Sequence, residues 1–464
     1  MRPLSLKPKV AIIGGGISGL AAAHALSKAD VPCTLFETRP RLGGVIETKR
    51  IQDCVVECGP DSFLSAKPQA LALAKELGLG DQIIGSNDAE RVTFIRRHGR
   101  MVPMPDGLMM MVPTKVMPLV KTPLLGLGTK LRMGLELFRK PPAAPLPDRS
   151  VGDFIRDHYG NEAVDYLAEP LLSGVYGGDP NQLSVRSVLT RFADLETKFG
   201  SLSRGVLASM PAKPAQNGSS PKPPPLFATL RNGLGELIGA LEKAIGGHAT
   251  VRNATVESLE RAGTGWRLRA NGEWTEASHV IIAAPGHAAA ALLRAVDPEV
   301  TTLLDAVGYT SSTTIAIGYR RSEVEDKMKG FGFLVPKVER NKLMAATFVH
   351  HKFKHRAPDS LALVRAFLTN AEGEDDALVK SVCDELGSLI GVRAEPVFSS
   401  VSRWPRAMAQ YTVGHNERQA KMESRLATLP NLYLAGNAQV GIGIPDCIQT
   451  GQAAATKILN SRVP

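Results

Sequence analysis

Three features of the 464-residue sequence predict an α/β fold whose central parallel sheet is assembled from both ends of the chain. The first is a strand, glycine turn, helix and second strand within Val10–Glu37. The second is a matching strand, glycine turn and helix at Leu432–Leu459, some 400 residues away. The third is what separates them: a basic, Met-rich segment and then a run of short strands, which read as a helical domain and an α+β domain inserted between the two ends.

Taken in order, Val10–Ile13 is a short apolar strand, Gly14–Gly19 a glycine turn, Leu20–Leu26 a helix, and Val31–Phe36 a second strand closed by Glu37. From Arg91 to Lys140 there are ten Lys/Arg, two Asp/Glu and seven of the chain's 13 Met. Leu131, Leu135 and Phe138 share one helical face there, with Lys130, Arg132, Arg139 and Lys140 mostly off it. That pattern is expected of a basic amphipathic surface on anionic lipid; the alternative is a helical subdomain whose Met residues fill an irregular core. Residues 211–225 hold six Pro with Gly, Ser and Asn, and predict a flexible linker. Gly233–Ala244 reads as a helix. Thr250–Glu260 and Gly265–Ala270 read as strands, with an Asn271–Gly272 hairpin turn before Glu273–Glu276. Val280–Ala284 is a buried strand. Thr313–Tyr319, Gly332–Val335, Met344–Val349, Leu361–Leu368 and Val397–Val401 are strand-like, with a helix at about 373–390. The expected division is 1–86, 226–286 and 421–464 for the two-ended domain, 87–210 for the helical domain, 211–225 for the linker and 287–420 for the α+β domain.

Composition bounds the function. Hydrophobic residues at 44% exclude a disordered chain. Five scattered cysteines cannot form a disulfide scaffold and fit a reducing compartment. The net charge of +10 admits nucleic acid, an anionic membrane or an acidic ligand. Because the excess charge sits beside Met and Leu without interleaved aromatics, lipid is the better match and no nucleic acid is expected. No secretory signal or membrane-spanning segment is visible, so a cytoplasmic location is expected, peripheral on the cytoplasmic face of the membrane.

Gly14-x-Gly16-x-x-Gly19 lies between a strand and a helix, and Glu37 ends the next strand. This is a Rossmann-like dinucleotide site. Gly14 permits the tight turn, Gly16 lets a pyrophosphate approach, Gly19 lets helix and sheet pack, and the helix N-terminus favours phosphate. Glu37 suits ribose hydroxyls. His350, His351 and His355 invite a metal reading, but no carboxylate or cysteine spacing supports it, and no metal is expected.

Arg41-Leu42-Gly43-Gly44 resembles the second glycine motif of the amine-oxidase-like flavoproteins. Ala435-Gly436-Asn437, Gly441-x-Gly443 and Asp446 resemble that family's final flavin motif. Glu57-x-Gly59-Pro60-x-Ser62-Phe63, Gly330–Pro336 (GFGFLVP), Gln410-Tyr411-x-x-Gly414-His415 and Asp446-Cys447-Ile448 together resemble its porphyrinogen oxidase branch, oxygen-dependent protoporphyrinogen oxidase above all, from about residue 9 to 460. The departures are Val45 where a basic residue is frequent, Asn437 where many members are acidic, and Asp61 where relatives commonly carry Asn.

The resemblance implies FAD, held by Gly14, Gly15, Gly16, Ile17, Ser18, Gly19, Glu37, Thr38, Arg41, Gly43, Gly44, Val45, Gly59, Pro60, Asp61, Ser62, Val256, Trp404, Gly436, Asn437, Gly441, Ile442 and Gly443. It implies oxidation of protoporphyrinogen IX to protoporphyrin IX in haem biosynthesis, by three hydride transfers to flavin N5 with oxygen as final acceptor. No catalytic side chain is required; the protein supplies position and exclusion of water. Arg91 is the expected propionate anchor, since Arg binds carboxylates bidentately. Gly332 and Leu334 match the pocket wall, and Phe367 and Met344 are candidates for the ring face. A homodimer and transient contact with the next enzyme of the pathway are further expectations.

Four other readings compete. Coproporphyrinogen III oxidase of the same family runs the same chemistry on a substrate with four propionates. A flavin amine oxidase would want an aromatic cage, yet Gly436–Gly451 contains no aromatic residue. A carotenoid desaturase leaves the GFGFLVP and QYTVGH stretches without a reason. A flavin-folded lipid-binding or scaffold protein is the non-enzyme alternative.

Overall fold

A computed structural model of the chain describes residues 9–210, 224–369 and 371–461. Its central layer is a five-stranded parallel sheet in the order Ala249–Asn253, Cys33–Glu37, Val10–Ile13, His279–Ile282, Leu432–Leu434. Strands from both chain ends therefore lie in one sheet, as expected. All four residues of Val10–Ile13 are buried, because both faces are covered. Val10, Ile12, Leu35 and Ile281 pack with the helices Ile17–Lys28, Gly235–Ile245 and Ile444–Asn460. Ala11, Ile13, Phe36, Val280 and Ile282 pack on the other side, with an antiparallel sheet (Val256–Ala262, Gly265–Ala270, Glu273–Ala277) and the helices Gly286–Leu293 and Pro298–Asp305. This last pair lies beyond the expected boundary at 286, so the sheet-bearing domain extends further along the chain.

The single strand expected over Thr250–Glu260 is two strands in two different sheets. The break has a polar cause. Asn253 Nδ2 donates to the carbonyls of Glu37, Thr38 and Arg39, and Ala254 N donates to Glu37 O at 2.9 Å. These bonds end the parallel pairing and turn the chain out. The hairpin turn is where it was expected: Asn271 and Gly272 have φ of 46° and 83°, the signs a tight two-residue turn requires.

The α+β region is a seven-stranded sheet, ordered Phe398–Gln410, Gly308–Arg320, Leu361–Thr369, Leu343–Phe348, Gly332–Leu334, Thr93–Arg97, Arg100–Pro103. Its last two strands come from the segment assigned to the helical domain. Gly332–Leu334 runs parallel to Thr93–Arg97, which ties 93–103 to this sheet instead. One face packs on the helix Asp375–Ile390 through Ile315, Phe333, Leu343 and Leu368.

The helical region is built around Leu124, Phe154, Tyr159, Leu167, Leu172 and Leu202. Met111 and Met133 fill that core, whereas Met117 is exposed. Leu131, Leu135 and Phe138 do share one exposed face, with Leu127 at 83% and Phe138 at 77% exposure. Among the described residues no helix is long and apolar enough to cross a membrane. Most of the 211–225 linker lies outside the described residues.

Candidate functional site

The glycine turn, the 41–45 loop, the 58–62 loop and the C-terminal loop converge at the C-terminal edge of the parallel sheet. Helix Ile17–Lys28 starts at Gly16 with no side-chain cap and no acid in its first turn. Its first N–H groups therefore point outward unanswered by its own side chains. A Cβ placed on Gly16 would meet nothing within 4 Å, so open space lies in front of that terminus. Glu37 reaches the same edge. Its Oε2 accepts from Gly15 N at 2.7 Å and its Oε1 from Arg39 N at 2.9 Å. A ribose diol fits this carboxylate, and a diphosphate fits the helix start beside it.

Loop 41–45 is locked against the turn: Gly43 N donates to Gly15 O at 2.8 Å. Arg41 turns inward on its own loop. Nη1 donates to Leu42 O and Ile46 O at 3.1 and 3.0 Å, and Nη2 to Gly44 O and Glu47 Oε2 at 2.8 and 3.0 Å. Arg41 thus shapes the loop and contributes charge, with only its Nε outside these bonds. Gly59 lies so close that a Cβ there would collide with the Val45 carbonyl. This contact joins RLGGV to the GPDS stretch. Trp404 is buried against both: Nε1 donates to Cys58 O at 2.7 Å, and the guanidinium groups of Arg39 and Arg41 sit 5.4 and 5.9 Å from its ring centre. Val256 opens the strand that follows Asn253, whose side chain holds the carbonyls of Glu37, Thr38 and Arg39.

The C-terminal loop is held from three sides. Tyr309 donates to Asn437 Oδ1 at 3.1 Å, and Asn437 Nδ2 donates to Ala407 O at 2.9 Å. The Asn437 side chain therefore fastens the seven-stranded sheet to this loop. The QYTVGH stretch does related work. Tyr411 donates to Asn437 O at 2.8 Å, His415 Nε2 donates to Gln439 O at 2.7 Å, and the two rings stack at 4.2 Å. Burial keeps His415 below its ordinary value. Gln410 Nε2 donates to Tyr176 O at 2.8 Å, and Gly414 N to Asp148 Oδ2 at 2.9 Å, which brings in the helical region. Gly443 caps the helix Ile444–Asn460, and Ile442 packs with Tyr411.

The proposed substrate residues fall on one face of the seven-stranded sheet. Leu334, Ala345 and Phe367 are directly opposed on neighbouring strands, as are Gly332, Thr347 and Arg365. Residues two apart share a face, so Gly332, Leu334, Phe367 and Arg365 look the same way. Met344 joins them through its sulfur, 3.5 Å from Thr369 Oγ1, two residues along from Phe367. Gly332 has φ of 133°, and a Cβ would strike the Ala346 carbonyl, so only glycine suits this close strand approach. A Cβ on Gly174 would lie 3.6 Å from Leu334, which places helix Glu169–Tyr176 across from this face. Arg91 stands at the rim: the next residue, Val92, accepts from Phe331 N at 2.8 Å through its carbonyl. The Arg91 side chain is exposed and makes no hydrogen bond or close ion pair among the described residues, though its charge is felt at Asp106.

Between the two faces lies a charged set that sequence reading only half anticipated. Asp61 sits 3.1 Å from Lys352 Nζ and 3.8 Å from Arg365 Nη1. Glu57 pairs with Arg356 at 3.1 Å, almost fully buried. Burial would raise the Asp61 carboxyl, but Lys352 and Arg365 outweigh it and hold the group far below the usual range. The signal for Arg365 was available: it is the lone charge in the apolar run Leu361–Leu368. Glu325 was missed as well. It lies beside His350 and His351, while His355 stands outside that group and is exposed.

Comparison with known proteins follows this geometry. The model of the flavin containing amine oxidoreductase family matches residues 17–459. A coproporphyrinogen III oxidase of Bacillus subtilis is 34% identical over 98% of both chains. Its namesake in Staphylococcus aureus is 30% identical over 97% of this chain and 98% of its own. Chloroplastic protoporphyrinogen oxidase 1 of Arabidopsis thaliana is 27% identical over 97% and 87%. A crystal structure from Exiguobacterium sp. 255-15, provisionally named protoporphyrinogen oxidase, superposes with a TM-score of 0.87 at 29% identity, covering 98% of this chain and 100% of that one.

Proposed function

The chain belongs to the flavin containing amine oxidoreductase family and binds FAD, and from that premise we propose that it oxidises coproporphyrinogen III to coproporphyrin III with oxygen, in haem biosynthesis. The reading rests on one observation above the others. An apolar sheet face carrying Gly332, Leu334 and Phe367 is rimmed by the exposed Arg91 and backed by buried cations next to the flavin-side loops. A flat apolar macrocycle with propionates needs such a slot. The relatives from Bacillus subtilis and Staphylococcus aureus support the tetracarboxylate substrate.

When bound, FAD supplies a two-electron acceptor for a hydride leaving a meso carbon. The chain's own residues do the rest. Gly14–Gly19 and Glu37 hold the diphosphate and ribose end. The loops at 43–45, 59–62 and 436–443 fix the ring end, and Trp404, Tyr309 and Tyr411 hold those loops. Arg91 takes a propionate bidentately and so sets which carbon lies over the ring site. Helix Glu169–Tyr176 covers the opposite side and excludes water. Three rounds remove six electrons and six hydrogens, and oxygen takes them as three hydrogen peroxide.

Protoporphyrinogen IX is the second reading, favoured by the Arabidopsis relative and by the apolar surface at 116–138. That surface also carries a proposal on location: peripheral contact with an anionic membrane. Between Lys115 and Lys140 stand six Lys/Arg, and the sole acid, Glu136, is buried. The substrate assignment is tested by porphyrin fluorescence in air with each porphyrinogen offered separately. A higher kcat/KM for coproporphyrinogen III is expected; a higher value for protoporphyrinogen IX transfers the assignment to the second reading.

A further inference from the structure

The geometry points to a divalent transition-metal site formed by His350, His351 and Glu325, of the class that takes Zn²⁺. Nothing in the flavin chemistry uses it. The Glu325 carboxylate lies 3.9 Å from His350 Nε2 and 3.6 Å from His351 Nε2, and the three ligand atoms all fall within 4.8 Å of one another. Tetrahedral zinc with ligands at about 2.0–2.1 Å holds them roughly 3.3 Å apart, so a pair at the 4.8 Å limit would close by about 1.5 Å, a movement shared between two side chains.

The second observation concerns the nitrogens. Both Nε2 atoms are buried and make no hydrogen bond, and the His350 side chain is only 2% exposed. Buried polar atoms are normally satisfied, so two neighbouring orphans aimed at one carboxylate mark a place for a ligand. Each ring is also oriented from its other side. His351 Nδ1 is 3.1 Å from Glu90 Oε2. His350 Nδ1 is 3.2 Å from both the carbonyl and the N–H of Leu363, so it can donate to that carbonyl. An imidazole that donates through Nδ1 presents its Nε2 lone pair, the arrangement found in metal-bound histidines.

One cation competes. Arg321 Nε and Nη2 lie 2.7 and 3.3 Å from the Glu325 oxygens. Each carboxylate oxygen has a second lone pair, and those remain for the histidine side. Glu90 and Glu325 against Arg321 leave a local negative charge that suits a cation. Imidazole and carboxylate together select zinc-like ions over calcium or magnesium.

The test uses the full-length, FAD-loaded protein after dialysis against chelator, titrated calorimetrically with zinc alone. One zinc per chain is expected. Glu325→Gln and His351→Gln should each weaken it at least about tenfold with FAD content unchanged, whereas His355→Gln should leave it intact. Cobalt should show the visible spectrum of a tetrahedral or five-coordinate site that both variants lose. No zinc binding by the parent protein, undiminished binding by both variants, or equal loss in His355→Gln would each overturn the assignment.

Discussion

Asp61 lies between Lys352 Nζ at 3.1 Å and Arg365 Nη1 at 3.8 Å, so its charge is neutralised where it stands. Removing its charge leaves two largely buried cations facing each other, and losing one partner of such a set costs roughly 3 kcal/mol. Asp61→Asn should therefore lower the thermal midpoint, while adding Lys352→Met should recover most of the loss; equal losses in the single and double variants would contradict the pairing. Arg91 is the opposite case, an exposed guanidinium with no close ion pair among the described residues. Arg91→Met should raise the porphyrinogen KM roughly tenfold or more, the value of a charge-assisted hydrogen bond, with flavin content unchanged. An unaltered KM would remove it as the anchor. The sequence carried signals for Arg91 and for Arg365, but not for Glu325, which joins the two histidines only because separate turns of chain meet.

At the scale of elements, the helical region is tied by a buried His158. Its Nδ1 is 2.9 Å from Glu136 Oε1 and its Nε2 3.0 Å from Glu196 Oε1. Glu136 also accepts from Ser201 Oγ and from the N–H of Leu202 at the start of helix Leu202–Ala208, and Glu196 meets Arg149 and Arg139. Burial pushes both carboxyls up, but these partners outweigh it and hold each below its ordinary value. Their unfolded value is about 4.3. The stability they add is complete above that pH and is lost as pH falls through the lower folded values. His158→Leu should destabilise the protein by roughly 3 kcal/mol at pH 7 and flatten the fall in stability below about pH 4. Denaturant melts across pH check both. Of this region, the face of Leu131, Leu135 and Phe138 was legible in the sequence, whereas the helices that meet at His158 were not. The break at Ala254 was not, because Thr250–Glu260 alternates like one strand and only the Asn253 side chain divides it.

Over the whole molecule, the two chain ends were readable because glycine turns between strand and helix leave a local signature. Domain edges were less so. Thr93–Pro103 joins the seven-stranded sheet through a pairing with Gly332–Leu334 over 230 residues away, a choice no local pattern records. The QYTVGH stretch was visible as a resemblance, while its role as the junction of three regions needed the contacts of Gln410, Tyr411, Gly414 and His415. The exposed stripe gives a prediction at this scale: Leu131→Ser with Phe138→Ser should abolish co-flotation with anionic vesicles and leave turnover in detergent unchanged. Flotation equal to the parent protein would remove the membrane assignment. The central claim is that flavin held by this chain takes electrons from a porphyrinogen. It is tested by mixing the yellow protein with coproporphyrinogen III without oxygen. The account predicts that flavin absorbance bleaches as porphyrin fluorescence rises, and that air restores the colour; flavin that stays oxidised in the presence of coproporphyrinogen III and protoporphyrinogen IX alike would contradict it.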